Sequence, residues 1–326
     1  MYVVARCFRV KGKNGYHDMH KAGSVDTPPY VLITPARNEE AHIERLLRAV
    51  TVQSIPPLKY VVVSDGSTDG TDSIVQEYSR RFEFIELVRF EKGAGAGFGS
   101  KALAFKAGYA RMGGIDYEFI GNLDADVSFE PDYFESILRE FAADERLGLA
   151  GGWVHEIYKG RFLPQNMSDN SVAGPVQMFR RDCFEEIGGY IPLRHGGIDA
   201  AAEIMARMHG WRVHTIRSCK VMAHRPVLTG KGNILGQRFN KGVMNSLLGY
   251  HPLFQMAVFL RRVFDPPLFI GALCTLTGYF WTCARHLPKQ VSPELVEFLR
   301  MEQMQRLGLA GKHEQREIRQ GHSTSR

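Results

Sequence analysis

The chain of 326 residues lacks any cysteine pair with redox or metal-ligand spacing. Its five cysteines (Cys7, Cys183, Cys219, Cys274, Cys283) are scattered, odd in number and without a C-x-x-C. A disulfide-stapled scaffold and a cysteine zinc site are set aside, and a reducing compartment is expected. A long block of lysine and arginine is also missing before the last residues. The formal net charge is +6, an excess that suits a surface meeting anionic phosphates or lipid headgroups and gives no ground for a nucleic-acid partner. No repeat of fixed period is present. The first residues carry Lys11, Lys13, His17 and Asp18 where a secretory signal needs an unbroken apolar core, so export is not expected.

Two nucleotide-loop signatures are absent as well. The glycine-dense stretch from Gly93 to Lys101 satisfies neither G-x-x-x-x-G-K-[ST] nor a G-x-G-x-x-G directly after the first strand. This argues against a P-loop kinase and against a dinucleotide-dependent dehydrogenase. The stretch reads either as a flexible connection or as a loop that brings Lys101 to a phosphate.

What is present is ordinary globular composition, 44% hydrophobic and 23% charged, with strands and helices in alternation. Residues 30–34 (YVLIT) predict a strand, and Ile43, Leu46, Leu47 and Val50 recur at helical spacing after it. Residues 59–82 repeat the plan: a valine-rich strand, a turn rich in Gly and Asp, and a helix. A third strand over 84–90 and a helix from Lys101 follow. Such alternation predicts an α/β fold with a mostly parallel sheet covered by helices, whose ligands gather at the strand ends.

The acids of this chain sit where that rule puts ligands. Residues 117–134 (YEFIGNLDADVSFEPDYF) read as a buried strand running into Asp124-Ala125-Asp126, with Pro131 and Asp132 opening a helix. Two carboxylates one residue apart can share a hard divalent cation through oxygen ligands, and that cation can bridge a diphosphate. The alternative is a polar turn. Asp65, in the turn DGSTDGT, either shapes the turn or accepts a hydrogen bond from a base or ribose. Asp199, behind Gly196-Gly197, is placed either to cap a helix or to serve as a base on a flexible approach.

Five features in one order carry a resemblance: TPARNEE at 34–40, VSDGSTDGT at 63–71, the glycine loop to Lys101, Asp124-Ala125-Asp126, and MFRRDCFEEIGGY at 178–190 followed by Gly197-Ile198-Asp199. The chain resembles a family 2 glycosyltransferase of the GT-A, Rossmann-like fold over about residues 28–225. The resemblance implies a nucleotide-diphospho-sugar donor, with Pro35, Ala36, Arg37, Glu39 and Asp65 around the nucleoside and Lys101 near the phosphates. It makes Asp126 the principal metal-binding acid, assisted by Asp124, with Mg²⁺ or Mn²⁺ as cofactor. It suggests His224 as a third ligand, the alternative being a solvent-facing histidine, and it places Asp199 at the position of the catalytic base. The family often has Glu-Asp where this chain has Ile198-Asp199, so Glu203, one turn on, is held as the reserve base. A hydroxyl acceptor on a saccharide or lipid-linked glycan and transfer with inversion are implied. A polyprenyl-phosphate glycosyltransferase and a non-catalytic nucleotide-binding scaffold of the same fold are the alternatives.

The expected organisation is a mobile leader over 1–27, a catalytic domain over 28–225, a membrane-associating helical extension over 226–290, and a short helix with a disordered basic tail over 291–326. Leu268 to Ala284 is uncharged over 17 positions. At ~1.5 Å per residue that is about 25 Å against a hydrocarbon core near 30 Å. The expectation is a cytoplasmic membrane surface reached peripherally or through one short hydrophobic helix, with burial in the folded protein as the alternative.

Overall fold

Valine and isoleucine runs become strands buried on both faces, as a sheet covered on two sides requires. The computed structural model describes residues 28–90, 99–158, 160–225, 234–265 and 267–309. The expected leader, most of the glycine loop and the basic tail lie outside them. β1 (Tyr30–Ala36), β2 (Lys59–Asp65), β3 (Ile85–Phe90) and β4 (Phe119–Leu123) pair in parallel in the order β3-β2-β1-β4. Between them run α1 (Ile43–Thr51), α2 (Thr71–Arg81) and α3 (Gly99–Tyr109). The exits of β1, β2 and β4 therefore share one end of the sheet.

Beyond β4 the sheet is mixed. β5 (Val127–Phe129), α4 (Tyr133–Ala143), β6 (Leu147–Tyr158), β7 (Arg161–Pro164), β8 (Val176–Arg180), α5 (Arg181–Glu186) and β9 (Arg212–Ala223) extend the order as β4-β8-β6-β9-β5, with β7 on β6. β8 is antiparallel to both β4 and β6, while β6 and β9 are parallel. The parallel expectation thus holds for the first half of the sheet. In the second half, strands distant in sequence enter antiparallel, which local periodicity does not encode. One consequence matters for the site: Asp124-Ala125-Asp126 links β4 to β5, and β5 lies beside the end of β9 (Val127 opposite Ala223).

Two compact units are present. The first holds the sheet, with the described residues up to Tyr190 apart from Gly99, and again 211–225; the second holds 191–210 and the described residues from 234 onward. The helix carrying Asp199 clusters with the C-terminal helices and not with the sheet. The core of the first unit is aromatic around α4, where Phe141 packs on Phe119 with centroids 4.6 Å apart and Tyr133 stacks on Phe129 at 4.7 Å.

The second unit is helical: α6 (Ile198–Met208), α7 (Ile234–Leu247), α8 (Pro252–Arg262), α9 (Ile270–Ala284) and α10 (Pro293–Arg306). α7 and α9 touch backbone to backbone. A Cβ built on Gly242 would stand 1.9 Å from the Thr275 carbonyl oxygen, and one on Gly278 would stand 2.1 Å from that of Phe239. Gly278→Val is therefore expected to cost ~1–3 kcal/mol or more, read as a lowered denaturation midpoint of the full chain. An unchanged midpoint would mean the two helices do not approach this closely.

The uncharged segment 268–284 is mostly α9. It buries Gly271, Ala272, Gly278, Tyr279 and Thr282 and exposes others. Among the described residues no helix is long and apolar enough to cross a membrane.

Candidate active site

At the shared end of the parallel strands two loops are laced together. Asn38, left-handed at φ 54°, accepts from the Thr68 amide through Oδ1 at 2.8 Å. Glu39 N–H donates to Thr71 Oγ1 (2.8 Å), and Glu40 N–H donates to Asp69 Oδ2 (3.1 Å). Gly70 N–H returns a bond to Glu40 Oε2 at 3.0 Å. The polar residues of PARNEE and DGSTDGT thus hold each other, and these structural roles for Asn38, Glu40, Asp69 and Thr71 were not read from the sequence.

The lacing fixes Asp65 at the end of β2. Asp65 is buried, accepts from the Ser100 hydroxyl at the start of α3 through Oδ2, and has Arg37 Nη1 4.0 Å from that same oxygen. Its other oxygen, Oδ1, is buried with no hydrogen-bond partner among the described residues. An unmet buried carboxylate oxygen costs about 1–3 kcal/mol, a deficit that a ligand N–H or O–H can remove. Ser100 has no sequence signal beyond its place in the first turn of α3, next to Lys101.

Asp124 and Asp126 are both present at the β4–β5 link, and each faces a cation. Lys101 of α3 reaches Asp124 Oδ1. Arg225 places Nε 3.2 Å from Asp126 Oδ2 and donates through Nη2 to both oxygens of Glu39 at 2.5 Å. Chain ends from β1, β4 and β9 meet here, which is how Glu39, Asp126 and Arg225 come together. Burial raises the pKa of Glu39, and the charges of Asp126 and Asp124 add to this, while Arg225 opposes it. For Arg225 the order reverses: burial works against its charge, and Glu39, Asp126 and Asp124 outweigh it and raise its pKa.

His224 is tied to the same link, since its N–H donates to the Asp126 carbonyl at 2.8 Å. Its Nε2 lies 2.7 Å from Ser128 Oγ, and the Phe162 ring meets it edge-on at 5.5 Å. Burial, with Arg45 and His42, lowers its pKa. His224 is therefore neither a solvent-facing side chain nor part of an assembled three-ligand set: among the described residues no three His, Cys, Asp or Glu side chains are disposed to hold a metal. The donor chemistry nevertheless fits a hard divalent cation. Two carboxylates carry their charge against lysine and arginine here, and hard cations take oxygen ligands.

In the second unit, Gly196 and Gly197 take left-handed φ values of 83° and 87°, and Gly197 is the N-cap of α6. Asp199 lies in the first helical turn, half-buried, and does not hold the cap position itself. A negative charge there is favoured by the helix N-terminus. Burial lowers the pKa of Lys241 of α7, and the charge of Asp199 opposes that shift.

Glu203 has a different fate. It is buried and ion-paired to Arg207, whose Nε also donates to Glu302 Oε1 of α10 at 3.0 Å. This triad ties α6 to α10, so the reserve base is committed to structure. Glu203→Gln is expected to cost ~1–3 kcal/mol and to leave turnover per folded molecule near the parent value. Denaturant titration alongside turnover checks it, and a 100-fold loss of turnover with parent stability would return Glu203 to the chemistry.

Comparison with known proteins bears on family and fold. The family model described as Glycosyl transferase family 2 matches residues 31–198, ending one residue before Asp199. Glycosyltransferase AglE of Haloferax volcanii is 27% identical over 181 residues, covering 50% of this chain and 57% of AglE. The chain spans 32% to 57% of the length of the first curated relatives it matches. Among solved structures, the mannosyltransferase PcManGT of Pyrobaculum calidifontis, in complex with GDP-Man and Mn²⁺, superposes with a TM-score of 0.52 at 18% identity, covering 92% of this chain and 80% of that one. TarS 1–349 of S. aureus, in complex with UDP-GlcNAc, gives 0.53 at 18% identity, covering 89% and 88%. Likeness at that identity speaks for a shared GT-A fold.

Proposed function

Since the chain belongs to glycosyl transferase family 2, whose model covers over half of it, we propose that it moves a sugar from a nucleotide-diphospho-sugar to a hydroxyl acceptor, with inversion, in the synthesis of a polysaccharide or lipid-linked glycan at a membrane surface on the cytoplasmic side. The observation that carries this reading is the end of the parallel sheet: a buried Asp65 oxygen without a hydrogen-bond partner among the described residues, and two carboxylates each balanced by a cation. Asp65 Oδ1 accepts a hydrogen bond from the nucleoside, and Arg37 lies alongside. Asp126 and Asp124 would hold Mg²⁺ or Mn²⁺, with His224 bordering them. When bound, the ion supplies positive charge to the leaving diphosphate. Lys101 and Arg225, which stand beside the two acids, would meet diphosphate oxygens. Asp199 takes the proton of the attacking hydroxyl, and attack opposite the leaving group inverts the sugar carbon.

Calorimetric titration of UDP-, GDP- and dTDP-sugars, each with Mn²⁺ and with chelator, tests the donor half. At least one sugar nucleotide is expected to bind in the micromolar to millimolar range and to weaken about tenfold or more without the ion. Equal binding with and without the ion would remove the metal, and no binding of any would favour a scaffold role.

A further inference from the structure

The helical unit leaves an apolar stripe bare on each of two successive helices. On α8, Leu253, Met256, Leu260 and, just past its end, Phe264 recur at three- and four-residue spacing and all are exposed, Phe264 at 73%. On α9 the exposed Ile270, Leu273, Phe280 and Trp281 fall at helical spacing along one face, with the exposed Phe269 just before the helix. The stripes meet at the turn between the helices, where Phe264 and Phe269 pack edge to face with centroids 5.9 Å apart and Leu268 is 57% exposed. The other sides are occupied: Gln255 of α8 accepts from Asn245 of α7 at 3.0 Å, and Gly278 of α9 lies against the α7 backbone. The bare face is therefore not a helix awaiting a partner inside its own unit.

The charge around this face is predominantly positive. From Leu248 to Ser292 the basic residues are Arg261, Arg262, Arg285 and Lys289, and the only acid is Asp265. Arg261 and Arg262 are exposed at the end of α8, next to the apolar turn, and Arg285 stands over the Trp281 ring at 5.2 Å. An exposed apolar strip with a tryptophan and an arginine rim is the pattern of a surface that enters the headgroup region of a membrane. Length excludes crossing: α8 and α9 have 11 and 15 residues, about 16 and 22 Å at ~1.5 Å per residue, short of a ~30 Å core.

We propose that the α8–α9 turn inserts in the plane of one leaflet of a bilayer containing anionic phospholipid, with Phe264, Leu268 and Phe269 below the headgroups and Arg261, Arg262 and Arg285 on lipid phosphates. This rests on the membrane-surface reading above and adds the face, the mode of insertion and the class of lipid. A second copy of the chain fits the face less well, because a two-fold pairing of one patch with itself sets its arginines against each other. Residues 310–326 are no better a cover, since Ile318 is their only large apolar side chain.

The full-length protein is sedimented with vesicles of phosphatidylcholine alone and of phosphatidylcholine with phosphatidylglycerol. Binding to the anionic vesicles is expected to be tighter and to fall as salt is raised. Phe264→Ser combined with Leu268→Ser is expected to weaken it about tenfold or more. Arg261→Gln combined with Arg262→Gln is expected to erase most of the preference for the anionic vesicles while weaker binding to the neutral ones persists. Donor binding, measured on the same preparations, should stay at the parent value in both variants. If the parent binds anionic vesicles and both double variants bind them equally well, this face is wrong although the membrane reading stands. If the parent binds neither vesicle, both fall. Should the Phe264/Leu268 variant turn a dimer into a monomer by light scattering with vesicle binding unchanged, a second copy covers the face and the proposal is overturned.

Discussion

Asp126→Ala is expected to abolish Mn²⁺-dependent donor binding, weakening it by roughly 10²-fold or more, while the protein stays folded. The backbone supports the folding half: the bond that ties β9 to the β4–β5 link runs from His224 N–H to the carbonyl oxygen of Asp126, which alanine keeps. The binding half follows from charge. Asp126 and Asp124 are the two acids of the link, and each is balanced by one cation in the structure. With Asp126 gone, Arg225 still holds Glu39, but a divalent ion loses its principal carboxylate and the diphosphate loses the charge that offsets its own. Asp124→Ala should act in the same direction, with a smaller effect, because it also frees Lys101 to meet the diphosphate. Titration of the donor with Mn²⁺ present decides the matter. Parent affinity in both variants would remove the metal assignment, whatever their melting behaviour.

Much of this site was legible because it lies at strand exits, and strand exits follow from periodicity. The valine run of β2 ends at Asp65, and the buried run of β4 ends at Asp124, so two acids could be placed from local pattern alone. Partners separated by long stretches of chain could not. Arg225 follows His224 directly and nothing in its local pattern sets it apart; its contact with Glu39 depends on β9 ending beside β5. The antiparallel entry of β8 between β4 and β6 is equally invisible to local pattern, since a five-residue strand has no direction until its neighbours are known. Glu203 shows the limit from the other side. Its spacing from Asp199 puts both acids on one helix face, yet Arg207, four residues further on, pairs with it, and Glu302 of α10 completes the triad. The i,i+4 half of that triad was open to reading, whereas the half from α10 needed the packed unit. The face of α9 is similar: its apolar content was plain, but the division into a side that buries Gly278 and a side that exposes Leu273 and Trp281 depends on where α7 lies.

Asp199→Asn is expected to lower turnover by ~10²- to 10⁴-fold, the usual contribution of a general base, with donor affinity close to the parent value. Asparagine keeps the shape of the side chain and one oxygen acceptor. Gly197, not Asp199, holds the cap of α6, so the variant forfeits no capping bond from that position. What it forfeits is the negative charge in the first turn, worth ~0.3–1 kcal/mol against the helix N-terminus, and the ability to accept a proton from an attacking hydroxyl. Stability should therefore fall slightly and turnover greatly, a split that a merely structural residue does not produce. Glu203→Gln gives the opposite pattern, stability down and turnover kept, because that acid belongs to the Arg207 triad. Steady-state transfer, donor titration and denaturant unfolding on the two variants separate these roles. Transfer at the parent rate by Asp199→Asn would exclude it as the base and favour an acceptor that is already an anion, such as a polyprenyl phosphate, which needs no proton removed before it attacks.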